Sequence, residues 1–462
     1  MSSRLETFLV SRTPVIVLLL IAVVERCAWA WKRGLEGGAG EAHRVALALA
    51  SGRGFADAYF VGSGPTAHLM PTTPLLAGGV HALLGAGSPM AEIVLQALAC
   101  IEFVAGYLLL FVMAGKLGIP WFSRLSALAL LCLFPVFMGQ ESLDFRYWEG
   151  GLAVACAVYM LNQILFHDAA RILPSLSQQI GFATLLALTF FISPALGTAL
   201  VICAVVLALR HWPWSVRIGT GAIAGIALAA MLAPWVIRND LVMRKPILLR
   251  SNAALEMSIA NNNASLGNDH KAAFNNSMAA VHPAVGQEAA ADLRRLGEIA
   301  YMAKLSSQVS GWIAANPTAF AHLAGRHIRQ MVIAEPFQFE IGSGAFSKIR
   351  SSIYSIVAIL SIIGIGLGIK SRRRGYGYVA IIIATVIMTY APFQPMARYL
   401  YLIYGFLVFA ALDAIGRAAV HVGIVRPRSD AGLLLGLRLN HSQKASAVAM
   451  ATPERKLAAS LS

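Results

Sequence analysis

The sequence predicts an all-α polytopic membrane protein with about ten transmembrane helices, and three observations support this fold class. Of the 462 residues, 58% are hydrophobic and only 13% are charged, whereas a soluble protein carries about 25% charged residues. Apolar runs of about 17–25 residues recur along the chain, and a helix of this length crosses a bilayer. The one long polar stretch, NNNASLGNDHKAAFNNS, lies between two groups of such runs.

Each expected span is one apolar run, and the runs follow in chain order. They lie near residues 13–31, 90–115, 122–139, 148–166, 179–193, 195–209, 217–236, 351–370, 376–391 and 398–416. No A-x-A-like cleavage site follows the first run, so we interpret it as a retained helix and not as a signal peptide. The fifth and sixth runs are short and meet at Ser193-Pro194, which predicts a tight or re-entrant pair. A semi-buried helix is also expected near 74–86.

The net charge of +15 indicates how the chain is oriented. In a soluble protein this charge would suggest nucleic acid binding, but here it fits basic cytoplasmic loops that face anionic lipid. With Arg4 and Arg12 in the cytoplasm, the opposite short loops carry only Arg146 and Arg398. The inside loops and the tail then carry Lys116, Arg124, Arg171, Arg210, Arg217, Lys370, Arg372, Arg373, Arg374, Arg417, Arg426 and Arg428. We therefore expect both termini in the cytoplasm and no nucleic acid partner.

This topology divides the chain into four parts. Residues 1–236 form an N-terminal transmembrane module whose first outward loop, 32–89, is the expected catalytic loop. Residues 237–350 form an outward-facing segment with the period of amphipathic helices. Residues 351–416 form the C-terminal transmembrane helices, and 417–462 form a basic cytoplasmic tail.

The cysteines show no metal-binding or disulfide pattern. All five lie in or beside apolar runs, where we expect them to pack: Cys27, Cys100, Cys132, Cys156 and Cys203. No Walker A, Rossmann, HExxH or CxxC motif occurs. The stretch NNNASLGND is rich in side-chain oxygens but lacks EF-hand spacing. No metal is therefore assigned, and a divalent cation is left open.

The first outward loop begins with GAGEAHRVALALASGRGF, residues 38–55, which predicts a short helix with Glu41 in its first turn. Glycine in SGRGF ends this helix as a C-terminal cap does. By spacing alone, Glu41 is best interpreted as a complement to the helix dipole, worth about a few tenths of a kcal/mol. In the following GPTAHLMPTTP, glycine and proline predict a re-entrant turn, which leaves His68 unexplained.

The second outward loop, MGQESLDFRYWEGG, holds three acids at the top of two spans: Glu141, Asp144 and Glu149. A solvated acidic cluster at the membrane boundary explains them without a function. Glu149 is the exception, because it follows Tyr147-Trp148 and begins an apolar run. Its carboxylate is expected to be partly desolvated and therefore suited to proton transfer.

Basic residues follow the seventh span, in APWVIRNDLVMRKPILLRSN. Arg238 leaves the span directly after Pro234-Trp235, and Lys245 and Arg250 follow on the outer side, against the positive-inside trend. Arg398 lies at the same level on another span. Nonspecific contacts with lipid phosphates explain these residues. A specific phosphate site explains them too, because arginine holds a phosphate through bidentate hydrogen bonds.

Three further charges lie inside apolar runs. Glu25 and Arg26 are close enough to the outer end of the first run to snorkel to the interface. Glu102 is deeper, and an ionisable group at such a depth is a functional candidate.

These motifs resemble those of one family. GEAHRVALALASGRGF followed by GPTAHLMPTTPLL resembles the first loop of bacterial GT-C fold glycosyltransferases, which are related to aminoarabinose transferase and the protein O-mannosyltransferases. PWVIRN, RSNAALEMSIANNN, GEIAYMAK, WIAANP and ARYLYLIYGF resemble further patterns of this family, in the same order. The resemblance covers about residues 30–410. Two departures occur: Ser193-Pro194 replaces an arginine-proline pair, which bears on donor contacts, and PTTP replaces PLYP.

The resemblance implies a GT-C fold in a bacterial inner membrane with a periplasmic active site. It implies an inverting sugar transfer from a polyprenyl-phosphate-linked donor, without a nucleotide sugar, to a glycan, lipid or protein acceptor. In such enzymes an acid of the first outward loop is catalytic, and this role carries over to Glu41. The assisting acid carries over to Glu149, ahead of Glu141 and Asp144.

The resemblance also implies which residues bind the substrates. Arg238 and Arg398 are expected to face the donor phosphate, with Lys245 and Arg250 beside them. The motifs assign substrate binding to His68, Glu256 and Tyr401. A transporter or lipid flippase is the alternative, although unlike halves and acids clustered at one face do not fit inverted repeats. A non-catalytic envelope assembly protein on the same fold is a third interpretation.

Overall fold

The computed structural model describes residues 11–34, 40–134, 136–339 and 344–422. Within these ranges it has no β-strand, and one isolated β-bridge joins Ala56 to Pro65. Its α-helices are α1 (Thr13–Lys32), α2 (Gly40–Ala50), α3 (Thr72–Leu84), α4 (Pro89–Lys116), α5 (Trp121–Leu133), α6 (Met138–Ser142), α7 (Gly150–Ala170), α8 (Leu176–Ile192), α9 (Pro194–His211), α10 (Trp214–Met243), α11 (Ala253–Ala260), α12 (His270–Val281), α13 (Gln287–Leu296), α14 (Glu298–Ala315), α15 (Pro317–Gln330), α16 (Gly344–Lys370), α17 (Tyr376–Tyr390) and α18 (Ala397–His421). The prediction of an all-α chain is confirmed.

Seven of the described helices are long and apolar enough to cross a membrane, namely α1, α4, α7, α9, α10, α16 and α18. An eighth span results if α5 and the bent continuation to Arg146 count as one. Two further predicted spans coincide with α8 and α17, which have only 17 and 15 residues. Such helices are about 26 and 23 Å long, less than the hydrocarbon core of about 30 Å. The prediction of a polytopic membrane protein is confirmed. Of the ten predicted spans, seven or eight are long enough to cross the membrane.

Local sequence explains where several helices start and stop. Ser88 caps α4 by accepting the Ala91 N–H, and Pro89 follows at the first helical position. After α2, Gly52 has a positive φ of 74°, and the N–H of Arg53 bonds the Ala48 carbonyl at 2.9 Å. This is the glycine C-cap that SGRGF predicts. It ends α2 and turns the chain toward the segment that contains His68.

The transmembrane helices form one bundle around α7 and α18, each 72% buried along its span, whereas α10 is only 11% buried and lies at the periphery. At one end of the bundle, α2 packs on α3 and shares an apolar core with α11 to α14, and these helices together with α15 form the loop face. A second apolar core joins the first loop to the later segment, and its residues are Val45, Phe55, Ala58, Tyr59, Ala67, Trp235, Leu255, Ile259, Ala289, Leu293, Tyr301, Met302 and Leu305. Segments distant in sequence therefore share one apolar core at the loop face. The division of the chain into residues 1–236, 237–350, 351–416 and 417–462 stays a prediction.

The charges inside the bundle have structural partners. Arg26 is 0% exposed, and its Nε and Nη2 donate to Glu141 at 2.9 Å while its Nη1 donates to the Cys132 carbonyl at 2.7 Å. The expectation that Arg26 snorkels is therefore wrong, because Glu141 neutralises it in place. Glu102 accepts the N–H of Leu152 at 3.0 Å in the first turn of α7. An acid at a helix N-terminus is stabilising there, which gives Glu102 a structural role.

Candidate active site

A cavity of about 400 Å³ lies at the loop face, between the first loop, the second loop, the α11–α12 segment and the start of α18. Its lining combines charged and polar side chains from segments far apart in sequence. They include Glu41, His68, Gln140, Asp144, Glu256, Asn275, His282, Gln338, Gln394 and Arg398. The cavity joins two residues that the sequence singled out independently, the first-loop acid Glu41 and the α18 arginine Arg398.

Glu41 lies in the first turn of α2, and its side chain is 22% exposed. His282 Nε2 lies 3.4 Å from Glu41 Oε1, while His282 Nδ1 accepts the Ala284 N–H at 3.2 Å. Because Nδ1 is an acceptor, the hydrogen of a neutral imidazole sits on Nε2 and points to Glu41. Burial raises the pKa of Glu41, but the hydrogen bond from His282 and the electrostatic effects of His68, His282 and Arg398 outweigh burial, so this pKa lies below its ordinary value.

His68 lines the same cavity beside Glu41. The Tyr59 hydroxyl lies 3.0 Å from His68 Nδ1, and the ring is almost fully buried. Burial disfavours the charged imidazole and lowers the pKa of His68 to about 3, although Glu41 acts in the opposite direction. His68 is therefore neutral at physiological pH and presents a polar ring to the cavity.

Glu298, at the start of α14, holds the backbone around His68. Its carboxylate accepts the Ala67 N–H at 2.8 Å, the Ser251 hydroxyl at 2.6 Å and the Thr66 hydroxyl at 2.5 Å. Burial raises the pKa of Glu298 above its ordinary value, against the effect of these hydrogen bonds and of Arg238. This buried acid fixes the segment that carries His68 and is a residue that sequence reasoning missed.

Arg398 enters the cavity from the first turn of α18. Its Nη2 donates to Glu256 at 3.1 Å and to the Tyr399 hydroxyl at 3.0 Å, and the guanidinium lies over the Tyr399 ring. The side chain remains 40% exposed. A guanidinium held by one acid and one aromatic ring keeps its orientation and still has donors available for an anion. The structure thus brings together four predicted residues: Glu41, His68, Glu256 and Arg398.

Arg238 does not line this cavity, contrary to its expected place beside Arg398. Its Nη1 donates to the Thr66 carbonyl at 2.8 Å and its Nη2 to the Phe55 carbonyl at 2.5 Å. The neighbouring Trp235 donates to the Leu249 carbonyl at 2.9 Å. The motif PWVIRN therefore fastens the first loop to α10, because a guanidinium can satisfy several backbone carbonyls at once.

The three acids of the second loop have different surroundings. Glu141 pairs with Arg26 inside the bundle, and Glu149 pairs with Arg250. Asp144 lines the cavity, where Gln140 Nε2 lies 3.4 Å from its Oδ2. The sequence favoured Glu149 as the assisting acid. In the structure Asp144, and not Glu149, lines the cavity that contains Glu41.

Three other predicted residues lie outside the cavity lining. Lys245 is exposed on the turn after α10. Tyr401 is buried against the rings of Phe137 and Phe145, with centroids 5.4 and 4.8 Å away. Arg250 donates to Glu149, and this ion pair raises the pKa of Arg250 although burial acts to lower it.

An apolar groove of about 600 Å³ lies on the other side of the first loop. The chain between Pro65 and Pro71 separates the two spaces, since both prolines line the groove whereas His68 lines the cavity. Helices α8 and α10 supply the opposite wall. The groove residues are Leu49, Arg53, Gly54, Phe55, Pro65, Pro71, Thr72, Leu75, Phe191, Met231, Pro234, Trp235, Arg238 and Val242.

The oxygen-rich stretch after α11 binds to the protein itself. Asn261 Nδ2 donates to the Pro392 carbonyl at 2.8 Å, and Asn262 Nδ2 donates to the Ser277 hydroxyl at 2.9 Å. Asp269 caps α12 by accepting the Ala272 N–H. These side chains therefore serve as loop and cap contacts.

His282 is the other residue that sequence reasoning missed. It follows α12 in AAVHPAVG and meets Glu41 only through the packing of the loop face. A histidine before proline at a helix end is common in loops, so no local pattern connects it with an acid far earlier in the chain.

Comparisons with known proteins give structural neighbours alone. No family model matches the sequence, and no curated protein matches it. The archaeal oligosaccharyltransferase AglB from Archaeoglobus fulgidus, in complex with an inhibitory peptide and a dolichol-phosphate, is similar with a TM-score of 0.47 and 14% identity. The apo form of the Archaeoglobus fulgidus oligosaccharyltransferase is similar with a TM-score of 0.40 and 12% identity. Each match covers 95% of this chain and 54% of the other, so this chain spans about half their length.

Proposed function

We propose that this chain is a membrane glycosyltransferase of the GT-C kind. It transfers a sugar, with inversion, from a polyprenyl-phosphate-linked donor to an acceptor at the outward face of the membrane. The observation that carries the proposal is the cavity in which the carboxylate of Glu41 and the guanidinium of Arg398 face one space. Sugar transfer from a lipid phosphate needs these two functions: an acid that handles the acceptor proton and a cation that stabilises the leaving phosphate.

Glu41 is the acid that acts on the acceptor. His282 binds one of its carboxylate oxygens, which orients the other toward an acceptor hydroxyl or amine. The lowered pKa keeps this carboxylate ionised, so it accepts a hydrogen bond that orients the acceptor, and it takes the proton only as the acceptor attacks the anomeric carbon and becomes more acidic. Asp144 is the assisting second-loop acid in place of Glu149, because it lines the cavity while Glu149 is paired with Arg250.

Arg398 is the group that binds the donor phosphate. Negative charge grows on this phosphate as the glycosidic bond breaks, and a preoriented guanidinium stabilises the charge without rearrangement. Glu256 and Tyr399 supply that orientation. His68 and Glu256 keep their roles at the substrate cavity, whereas Arg238 becomes a positioning residue for the first loop. Lys245, Arg250 and Tyr401 have no role in the proposed reaction, because they do not line the cavity.

The apolar groove supports a lipid-linked donor. It lies one chain width from the cavity, across the segment that carries His68, and its lining is mostly hydrophobic. An isoprenoid chain in the groove would be removed from water, which is favourable in proportion to its apolar area. Its phosphate would then reach the cavity around the end of the segment between Pro65 and Pro71.

Free polyprenyl phosphate is a product common to every sugar and acceptor, so its release tests the proposal. The purified protein in liposomes receives polyprenyl-phosphate sugars and a membrane extract as acceptor source, and released polyprenyl phosphate is measured by mass spectrometry. We expect release with the wild type, a decrease of about 100-fold or more with Glu41→Gln, and normal release with Glu288→Gln, an exposed acid on α13. Equal release by Glu41→Gln contradicts the catalytic assignment. Lipid movement across the bilayer without release supports a flippase instead.

A further inference from the structure

A second cluster of polar side chains lies behind the candidate active site, where α2, α3 and α4 meet. His43 Nε2 and His81 Nε2 each lie 3.7 Å from Glu92 Oε1, and the three ligand atoms are all within 4.8 Å of one another. Each residue comes from a different helix. None of the three lines the cavity that contains Glu41.

His43 has an unexplained nitrogen. Its Nε2 is shielded from solvent and has no hydrogen-bond partner among the described residues. A buried polar atom without a partner is destabilising. The atom points into the cluster, where Glu92 Oε1 is too far away for a hydrogen bond. A positively charged ion between the three side chains would give this nitrogen a partner.

The surroundings of the cluster complete a set of metal-ligand atoms. The Tyr147 hydroxyl lies 3.0 Å from His81 Nε2 and also donates to Glu92 Oε1. Arg146 Nη1 bonds the other carboxylate oxygen of Glu92 at 2.5 Å, so it orients the acid and leaves Oε1 directed inward. The four converging atoms are two imidazole nitrogens, one carboxylate oxygen and one phenol oxygen.

We propose that His43, His81 and Glu92 bind one divalent transition-metal ion, with zinc as the best match to the donor set. Imidazole and carboxylate are ordinary zinc ligands, and a tetrahedral zinc ion separates neighbouring ligand atoms by about 3.4 Å. The two separations of 3.7 Å to Glu92 Oε1 need to shrink by a few tenths of an ångström, and the two imidazole nitrogens, which lie within 4.8 Å of each other, need to move closer by up to about 1.4 Å. The Tyr147 hydroxyl keeps its hydrogen in the bond to Glu92 Oε1, and its oxygen is close enough to be a neutral fourth ligand.

Metal binding requires the hydrogen on the ring of His81 to change position. His81 Nδ1 accepts the Gly87 N–H at 3.3 Å, so the ring hydrogen sits on Nε2 and donates to the Tyr147 oxygen. To bind a metal through Nε2, His81 moves this hydrogen to Nδ1 and gives up the long contact with Gly87. Gly87 lies in the short connection between α3 and α4, where Gly85 and Gly87 have positive φ values of 99° and 72°.

The ion would have a structural role that does not depend on the proposed reaction. It would join α2, which also carries Glu41, to α3 and to the transmembrane helix α4. His43 and Glu41 are two residues apart on α2, so their side chains leave the helix in widely different directions. The metal therefore sits on one side of α2 and the substrate cavity on the other.

Metal content and cobalt spectroscopy test this site on the full-length protein. The protein is purified in detergent without chelators, analysed by mass spectrometry for metals, stripped with EDTA and titrated with Zn²⁺ or Co²⁺. We expect one equivalent per chain, and Co²⁺ absorption bands of a tetrahedral site that Zn²⁺ abolishes. His43→Ala and Glu92→Gln should each weaken binding by at least about tenfold, while His322→Ala, an exposed histidine on α15, should not.

Two results would overturn the site. Wild-type protein that binds no Co²⁺ at one equivalent, or gives no tetrahedral bands, excludes it even if the variants fail to fold. Folded His43→Ala protein that binds Zn²⁺ as tightly as the wild type shows that the ion is adventitious only.

Discussion

His68 is a buried base next to the proposed catalytic acid, and its environment has a consequence for stability. Burial lowers the pKa of His68 to about 3 in the folded protein, whereas an unfolded chain has a histidine pKa of about 6.5. Between about pH 3 and pH 6.5, the unfolded chain binds a proton at this histidine, whereas the folded protein does not. The free energy of unfolding therefore falls as the pH decreases from about 6.5 toward 3, by up to about 1.4 kcal/mol per pH unit.

His68→Asn should remove this dependence. Asparagine offers an oxygen to the Tyr59 hydroxyl and does not titrate. Thermal unfolding in detergent at pH 7 and pH 5 should show a smaller loss of melting temperature on acidification for this variant than for the wild type. His322→Asn, at an exposed position, should behave as the wild type. The same acid sensitivity in His68→Asn would contradict a neutral buried His68.

Arg238 and Arg398 show how one residue type serves two purposes. The guanidinium of Arg238 is used by backbone carbonyls, and that of Arg398 is held at the edge of the cavity. Arg398→Gln should lower polyprenyl phosphate release by about 100-fold with little change in melting temperature. Arg238→Gln should lower the free energy of unfolding by about 1–3 kcal/mol through its unpaired carbonyls. Release and melting temperature, measured on both variants, check the assignment, and reversed effects would contradict it.

At the scale of elements, the packing of α2 on α3 places both the proposed acid and the proposed metal ligand His43. Gly78 on α3 allows this approach, because a Cβ there would lie 2.8 Å from Leu49 Cβ and 3.3 Å from the Ala46 carbonyl oxygen. Gly79 faces outward, and a Cβ there would meet nothing within 4 Å. Alanine substitutions at these two adjacent glycines therefore compare a crowded position with an open one on the same helix.

Gly78→Ala and Gly79→Ala should change stability in opposite directions. Both gain helix propensity, about 1 kcal/mol, but only Gly78→Ala forces α2 away from α3, at a cost of about 1–3 kcal/mol. Melting temperatures of the two variants measure the difference, and polyprenyl phosphate release reports whether α2 has moved. If Gly78→Ala matches Gly79→Ala in both, α2 does not depend on this close contact.

The elements differ in how well sequence predicts them. Apolar length and glycine caps are local properties, so the sequence predicts the helices and the end of α2. The apolar composition of α8 and α17 predicts two further spans, but with 17 and 15 residues these helices are shorter than the hydrocarbon core. The partners of Glu41 and Arg26 could not be predicted, because His282 and Glu141 reach them only through tertiary packing. The same limit placed Glu149 ahead of Asp144, since chain position does not reveal which acid faces a cavity.

For the whole molecule, several spanning helices end on basic residues at the end of the bundle opposite the loop face, among them Lys116, Arg171 and Arg210. Arg373 there donates to Asp413 at 2.8 Å and caps the Leu117 carbonyl at 2.9 Å, so the basic loop after α16 is fixed to the bundle. By the positive-inside rule we expect this end to face the cytoplasm and the candidate active site to face outward.

Two exposed serines test this orientation. Ser307 lies on α14 at the loop face, and Ser371 lies in the turn after α16 at the opposite end. Native cysteines are buried or half-buried, so they give a low background with a membrane-impermeant maleimide, and the wild type is the control. We expect Ser307→Cys to be labelled in intact cells and Ser371→Cys only after permeabilisation. The reverse pattern would place the cavity of Glu41 and Arg398 in the cytoplasm. A donor used on the outer side would then be excluded, while the chemistry inferred from the two side chains would still apply to a cytoplasmic donor.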